Sequence, residues 1–428
     1  MKQKGKRTLT PKRRFPEFRD APGWEEKSIN SISDVNPSHD GLPDSFVYID
    51  LESVEQGKLV AQKVINREGA PSRAQRLLSK RDVIYQTVRP YQRNNLFFDV
   101  EDELDYVAST GYAQLRAHAS PAFLFQLLHT NDFVNKVLAK CTGSNYPAIN
   151  SSDLATIEVA VPSPAEQKKI AECLSSLDGL ITAEGRKLDA LRDHKCGLMQ
   201  QLFPQPGQTQ PRLRFPEFRD KGEWEDRDLG PMTTKVGSGI TPRGGDKNYR
   251  KDGRVFVRSQ NVGWGVLILD DVAYIEEETH SSFDATEIKG NDVLLNITGA
   301  SIGRSAVADY RLVGGNVNQH VCIIRTKPKR LHPFLLNQYL ISEYGQTQID
   351  SFQAGGNRQG LNFGQIRSFM IPMPPVGPKG NELAEQQKIA DCLTALDTLI
   401  AAQAGKIEAL KQHKRGLMQQ LFPTPEEV

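Results

Sequence analysis

Residues 165–204, AEQKKIAECLSSLDGLITAEGRKLDALRDHKCGLMQQLFP, recur without a gap at 384–423, and 26 of the 40 aligned positions are identical. In the first copy apolar residues fall at Ile170, Leu174, Leu177, Ile181, Leu188, Leu191, Leu198 and Leu202. Those steps of threes and fours predict one long helix with a single apolar stripe. The second copy repeats the stripe at Ile389, Leu393, Leu396, Ile400, Ile407, Leu410 and Leu417. Glu166 and Glu385 suit a first turn, and Pro204 and Pro423 cannot continue a helix. At 1.5 Å per residue such a helix is a rod of roughly 57 Å. A rod with one apolar stripe must bury it, and two equal stripes in one chain can bury each other. The expected arrangement is an antiparallel coiled coil; the alternative is that each helix packs only on its neighbouring block. Polar residues interrupt the stripe at Glu184 and Lys195, and again at Gln403 and Lys414, so even the interruptions are duplicated. Polar seam positions of this kind set helix register.

A second repeat precedes each variable block. RFPEFRD stands at 14–20 and 214–220, followed by the acidic Trp stretches GWEEKSI and EWEDRDL. The order lead-in, variable block, helix therefore occurs twice. The expected domains are a basic N-terminal arm and lead-in (1–24), a first variable domain (25–162) and a central spacer helix (163–204). A linker with the second lead-in (205–224), a second variable domain (225–375) and a C-terminal spacer helix (376–428) follow. Short β-rich runs, SFVYIDL, DVIYQTV and TIEVAVP in the first block and RVFVRS, DVLLNITG and HVCIIRT in the second, are separated by Gly, Pro, Asn and Asp. Helices are expected at 121–138 and 333–349. The fold class is thus α+β: two globular domains, two long helices and a pseudo-twofold internal repeat.

Composition excludes several functions. No apolar run approaches the roughly 18 residues that span a bilayer, and the basic start leads into no signal-type segment. Cys141, Cys173, Cys196, Cys322 and Cys392 show no CxxC spacing, which predicts a reducing cytoplasm rather than disulfides or zinc, and Cys173 and Cys392, at matching places in the apolar stripes, read as small buried hydrophobes. No phosphate-binding GxxxxGK[ST] loop or HExxH motif is present, so no metal site is expected. The NITGASIG loop lacks the glycine spacing of a nucleotide site and reads better as a tight turn admitting close approach. Glu287 and Lys289, with Asp284 or Asp271, only loosely imitate a nuclease triple.

The net charge of +2 says little, but its distribution says more. Arg73 to Arg93 holds six basic residues against Asp82, and Arg243 to Arg258 holds six against Asp246 and Asp252. Within these stretches lie side chains suited to nucleic acid: Arg73, Gln75, Arg76, Gln86, Arg89, Tyr91, Arg93 and Asn94 in the first block, and Arg243, Lys247, Tyr249, Arg258, Gln260 and Asn261 in the second. Ser301 and Arg304, then Asn316, Asn318 and Gln319 in NVNQH, and Asn357, Arg358 and Gln359 in GGNRQG extend the second set. Arg can pair two acceptors on guanine and Gln or Asn can pair adenine, while Lys and Tyr hold phosphates.

The chain resembles the specificity subunit of type I restriction-modification systems over nearly its whole length. The resemblance is carried by VPSPAEQKKIAECLSSLDGLI and ELAEQQKIADCLTALDTLI, by NVNQH with NDVLLNITGASIGR, and by GLMQQLFP at both helix ends. SRAQR with VRPYQRN looks like one subclass of target-recognition domain. The resemblance implies that each variable domain reads one half of a split double-stranded DNA site, with unread base pairs set by the helices. It also implies that two modification subunits, which carry S-adenosylmethionine and the adenine methylation chemistry, dock on the helical regions, and that restriction subunits join through them. The chain itself is then non-catalytic and without cofactor. The rival expectations are a coiled-coil scaffold joining two proteins, which would lack salt-dependent DNA binding, and a self-sufficient nuclease.

Overall fold

The computed structural model describes residues 8–55, 57–143, 145–242, 244–353, 360–375 and 383–424. The chain forms two compact units: residues 1–185 with 406–428, and residues 186–405. Both mix helix and sheet.

In the first unit the buried run Val83–Gln86 forms a strand between Leu96–Phe97 and Tyr112–Ala117, and Ser33–Val35 closes this four-stranded antiparallel sheet. A near-continuous apolar run suits a strand covered on both faces. A second sheet has the order Lys63–Asn66, Ser45–Ile49, Tyr106–Ser109, Ala74–Leu77, its middle pair parallel. Trp24–Ser28 pairs antiparallel with Glu158–Val161.

The second unit repeats this plan. Val293–Asn296 lies between Ser305–Val307 and Val321–Thr326, with Thr233–Ser238 on the outside. Ala273–Ile275, Arg254–Val257 and Asn316–Val317 form the second sheet, again with one parallel pair. Glu225–Asp228 pairs with Met370–Met373. The blocks that share little sequence therefore share one topology. All six predicted β-rich runs contain strands. Each expected helix instead divides in two, because Thr130 and Ser342 cap new first turns by accepting from the Phe133 and Gly345 amides.

The long helices run Pro164–Leu202 and Ala384–Leu421. The lead-ins explain their own repetition by gripping these helices. Arg14 donates to both Glu166 carboxylate oxygens (2.9 and 2.6 Å) and to the Ala21 carbonyl. Arg214 does the same with Glu385 (2.7 and 2.9 Å) and the Gly222 carbonyl. Lys169 and Lys388 lie over the Phe15 and Phe215 rings and pair with Glu17 and Glu217.

The helix ends serve different cores. In the first unit Ile170 and Leu174 pack in one cluster with Trp24, Phe123, Leu421 and Phe422. In the second, Ile389 and Leu393 share a cluster with Met199, Leu202, Phe203 and Trp224. Each GLMQQLFP thus completes the core of the unit to which the other long helix gives its first turns. Phe422 stacks on Phe123 at 5.5 Å and meets Trp24 edge-on at 5.9 Å, and Phe203 meets Tyr339 edge-on at 5.5 Å.

The duplicated polar interruptions are spent inside the units. Lys414 donates to Asp178 at 2.7 Å, and Gln126 donates to the same carboxylate at 2.9 Å. Lys195 and Gln338 hold Asp397 in the same way, at 2.6 and 2.7 Å. Lys406 donates to Glu184 at 2.5 Å.

Candidate nucleic-acid interface

Both units carry one loop frame at the end of a buried strand. Before the strand, Arg81 and Asn291 hold φ of 71° and 67°. This turn brings the amides of Ser79 and Lys289 to the buried carboxylates of Asp82 and Asp292, at 2.8 and 2.7 Å. Arg116 completes Asp82 at 2.9 Å and Arg325 completes Asp292 at 2.7 Å, each through two nitrogens. The hydrogen bond to Asp82 raises the Arg116 pKa, against desolvation.

After the strand the chain turns through two left-handed residues. They are Arg89 and Arg93 (φ 54° and 56°) in the first unit, and Gly299 and Gly303 (φ 73° and 86°) in the second. An arginine in this region costs about 1 kcal/mol that glycine avoids. The first unit offsets it with contacts: Arg93 donates to the His129 carbonyl at 3.0 Å and to Asn131 at 2.8 Å, and Arg89 lies 4.4 Å from the Tyr146 ring. A second loop meets the first in each unit through the bridges Val88–Ala148 and Thr298–Gly360.

The sequence-predicted residues divide accordingly. Arg73, Gln75, Tyr91, Lys247, Gln260 and Gln319 are exposed, and Arg76, Arg89, Asn94, Tyr249, Arg258, Ser301 and Arg304 are half-buried. Arg73 is tied to the loop end of the strand, because its carbonyl accepts from Thr110 while the Gly111 carbonyl accepts from Thr87. Burial lowers the Arg76 pKa. The turn bearing Arg258 and Gln260 is brought to the strand end by Asn296, which donates to the Ser259 carbonyl at 2.8 Å. Both side chains donate to Asp271, and Arg258 lies 5.4 Å from the Tyr249 ring.

Four predicted readers are buried, and three of them spend both polar atoms inside the fold. Gln86 is buried, accepting from the Asn94 amide and donating to Gln92. Asn261 is buried, accepting from the Arg258 amide and donating to the Ile268 and Asp271 carbonyls. Asn316 is fully buried against His280 (2.5 Å) and the Phe283 carbonyl, and Asn318 is buried with its oxygen on the His320 amide. The polar atoms of Gln86, Asn261 and Asn316 hold turns together, so these three do not present a reading edge, whereas Asn318 commits its oxygen alone. Arg93 is likewise engaged within the fold. Arg243, Asn357, Arg358 and Gln359 lie outside the described residues.

Two exposed aromatics at this end of the units escaped the sequence reading, Tyr146 (64% exposed) and Trp264 (52%). Their signal was a lone aromatic inside a polar or glycine-flanked loop. Among the described residues no group of three His, Cys, Asp or Glu side chains could hold a metal ion. Asp271 and Glu287 are engaged by Arg258 and His280. No helix among the described residues is long and apolar enough to cross a membrane.

A family model described as the type I restriction modification DNA specificity domain matches residues 67–192 and 222–412. The type I restriction enzyme MjaVIII specificity subunit of Methanocaldococcus jannaschii is 22% identical over 308 residues, covering 70% of this chain and 69% of the relative. The HindI specificity subunit of Haemophilus influenzae is 28% identical over 166 residues, 37% of this chain and 36% of the relative. Among solved structures, the S subunit of a type I restriction-modification system from M. genitalium aligns with a TM-score of 0.60 at 14% identity, covering 97% of this chain and all of that one. A chain from a study of assembly and conformational transition of the type I R-M system aligns at 0.53 and 23% identity, covering 94% and 98%. At these identities the structural likeness is one of fold.

Proposed function

The chain belongs to the type I restriction modification DNA specificity family, and from that premise we propose how it divides the work of reading DNA. The blocks at 25–162 and 225–375 are two target-recognition domains, each reading one half of a bipartite, asymmetric double-stranded site. The helices at 163–204 and 376–428 form an antiparallel coiled coil that sets the unread spacing. They dock two modification subunits, which bring S-adenosylmethionine, and through them the restriction subunits. The chain supplies recognition and no catalysis, in the cytoplasm.

One observation carries this reading: the two units repeat one loop frame and place different side chains on it. One frame with two chemistries suits two different half-sites on a pseudo-twofold scaffold. The reading side chains are then Arg73, Tyr91, Arg258, Gln260 and Arg304, with Lys247 on phosphate. The pairs Lys414–Asp178 and Lys195–Asp397 support the helix pairing, since residues later in one helix meet residues earlier in the other.

The test is sequencing of adenine methylation in cells expressing this chain with its modification subunit, against that subunit alone. A split, nonpalindromic motif that needs both is expected. No motif from a confirmed complex would favour a protein-joining scaffold. Arg304→Ala should relax one base position at a cost of about 1 to 3 kcal/mol if the guanidinium reads a base. A uniform loss over all sequences would assign it to phosphate.

A further inference from the structure

The chain has three tryptophans. Trp24 and Trp224 are buried core anchors (0% and 3% exposed), whereas Trp264 is 52% exposed. A large aromatic displayed in solvent among other exposed apolar side chains asks for an occupant. Trp264 sits at the tip of a tight finger closed by the Val262–Leu267 bridge and by the Gly263 amide donating to the Val266 carbonyl at 2.9 Å. Gly265 makes the turn at φ 78°, and its amide donates to the Ser305 carbonyl at 2.8 Å. Ser305 directly follows Arg304, so the finger stands against the loop already assigned to DNA. Val266 and Ile268 are exposed beside it (45% and 40%).

The first unit has the same finger. Val54 pairs with Leu59 as Val262 does with Leu267, and Gly57 turns at φ 79° next to the Asn95 carbonyl. Asn95 and Ser305 hold matching places, each just before or at the start of the third strand of the equivalent sheet. The turns differ in chemistry: Glu55, Gly57 and Lys58 in one, Gly263-Trp264-Gly265-Val266 in the other.

Resting on the recognition role above, we propose that this finger enters a groove of the duplex and determines specificity. In the second half-site Trp264 acts there as an apolar wedge against a base step. An indole face can pack on or part a stacked step, and the cost of doing so depends on the step, least at flexible pyrimidine–purine steps. The finger's main chain is held by backbone bonds and an indole turns about only two side-chain bonds, so the ordering cost on binding is small. Arg304, which directly precedes the Ser305 that anchors the finger, and the exposed Lys247 supply the positive charge that draws the phosphates in. The first finger, with a polar tip, reads its half-site differently.

The test uses the full complex with the modification subunit and compares wild type, Trp264→Ala and Trp264→Phe. Trp264→Ala should write a motif relaxed at one or two adjacent positions of one half-site, leave the other half intact, and bind the cognate duplex about tenfold more weakly. Trp264→Phe should keep most discrimination. The fluorescence difference between wild type and Trp264→Phe isolates the Trp264 indole, which cognate duplex should shield from acrylamide. This readout decides the matter even if Trp264→Ala fails to assemble. An unchanged motif with binding within twofold, or an indole equally quenched in the bound complex, overturns the finger while leaving the recognition role standing. A wild-type complex that writes no motif overturns that role, and the finger with it.

Discussion

Asp82 and Asp292 occupy one position in two sequences that otherwise diverge. Each is buried, closes a turn through a backbone amide and holds an arginine from the adjacent strand. Asp292→Ala should destabilise the second unit by about 3 kcal/mol, because Arg325 and the Lys289 amide lose their acceptor; denaturant unfolding measures it. The residue scale also sets a pH response. His129 is half-buried and its pKa is lowered from 6.5 mainly by desolvation, with Lys414 adding to the effect and the hydrogen bond to the Phe125 carbonyl opposing it. Desolvation likewise lowers His332, against Asp391 and Gln387. A histidine with a depressed folded pKa is neutral in the native state while the unfolded chain takes up a proton. Stability is then unaffected above pH 6.5 and falls as pH drops below it towards the folded pKa. Thermal melts between pH 7.5 and 5.5 should show this fall, and His129→Gln should lessen it. Residue roles were the least legible part of the sequence. Gln86, Asn261 and Asn316 have the chemistry of base readers, but nothing local to their sequence reports that their polar atoms close turns inside the fold.

At the element scale the long helices were legible nearly to the residue, because apolar spacing, a first-turn acid and a terminal proline all act locally. The pairing of their polar interruptions was not, since it depends on which turns face each other. Asp178 and Asp397, outside the stripe, are the acceptors for Lys414 and Lys195, and Gln126 and Gln338 join from the blocks. Asp178→Lys should destabilise the first unit, and adding Lys414→Asp should restore part of the loss. A coupling energy of about 1 kcal/mol is expected from the double-mutant cycle, the Asp178 side chain being partly exposed. No coupling would mean that the ion pair has no part in aligning the helices. The lead-in repeats were visible as letters, yet their purpose appears only in Arg14 on Glu166 and Arg214 on Glu385.

Across the whole molecule, the duplication visible at the helices extends through both blocks. It was hidden there because short strands tolerate many apolar sequences, while the loops between them diverge. The two halves also exchange helix ends, and this yields a specific expectation: Phe422→Ala should destabilise the first unit by about 3 to 5 kcal/mol, and Phe203→Ala the second. Hydrogen exchange resolved by segment should show each loss in one unit; loss in both would contradict the exchange. The same feature imposes an order on synthesis. Trp24 and Phe123 leave the ribosome early, but Leu421 and Phe422, which cover them, follow roughly 200 residues after the first long helix, a delay on the order of 10 to 40 s at about 5 to 20 residues per second. During that interval the nascent first half carries an open aromatic cleft, and the matching helix end it has already made is the very one its sister unit needs.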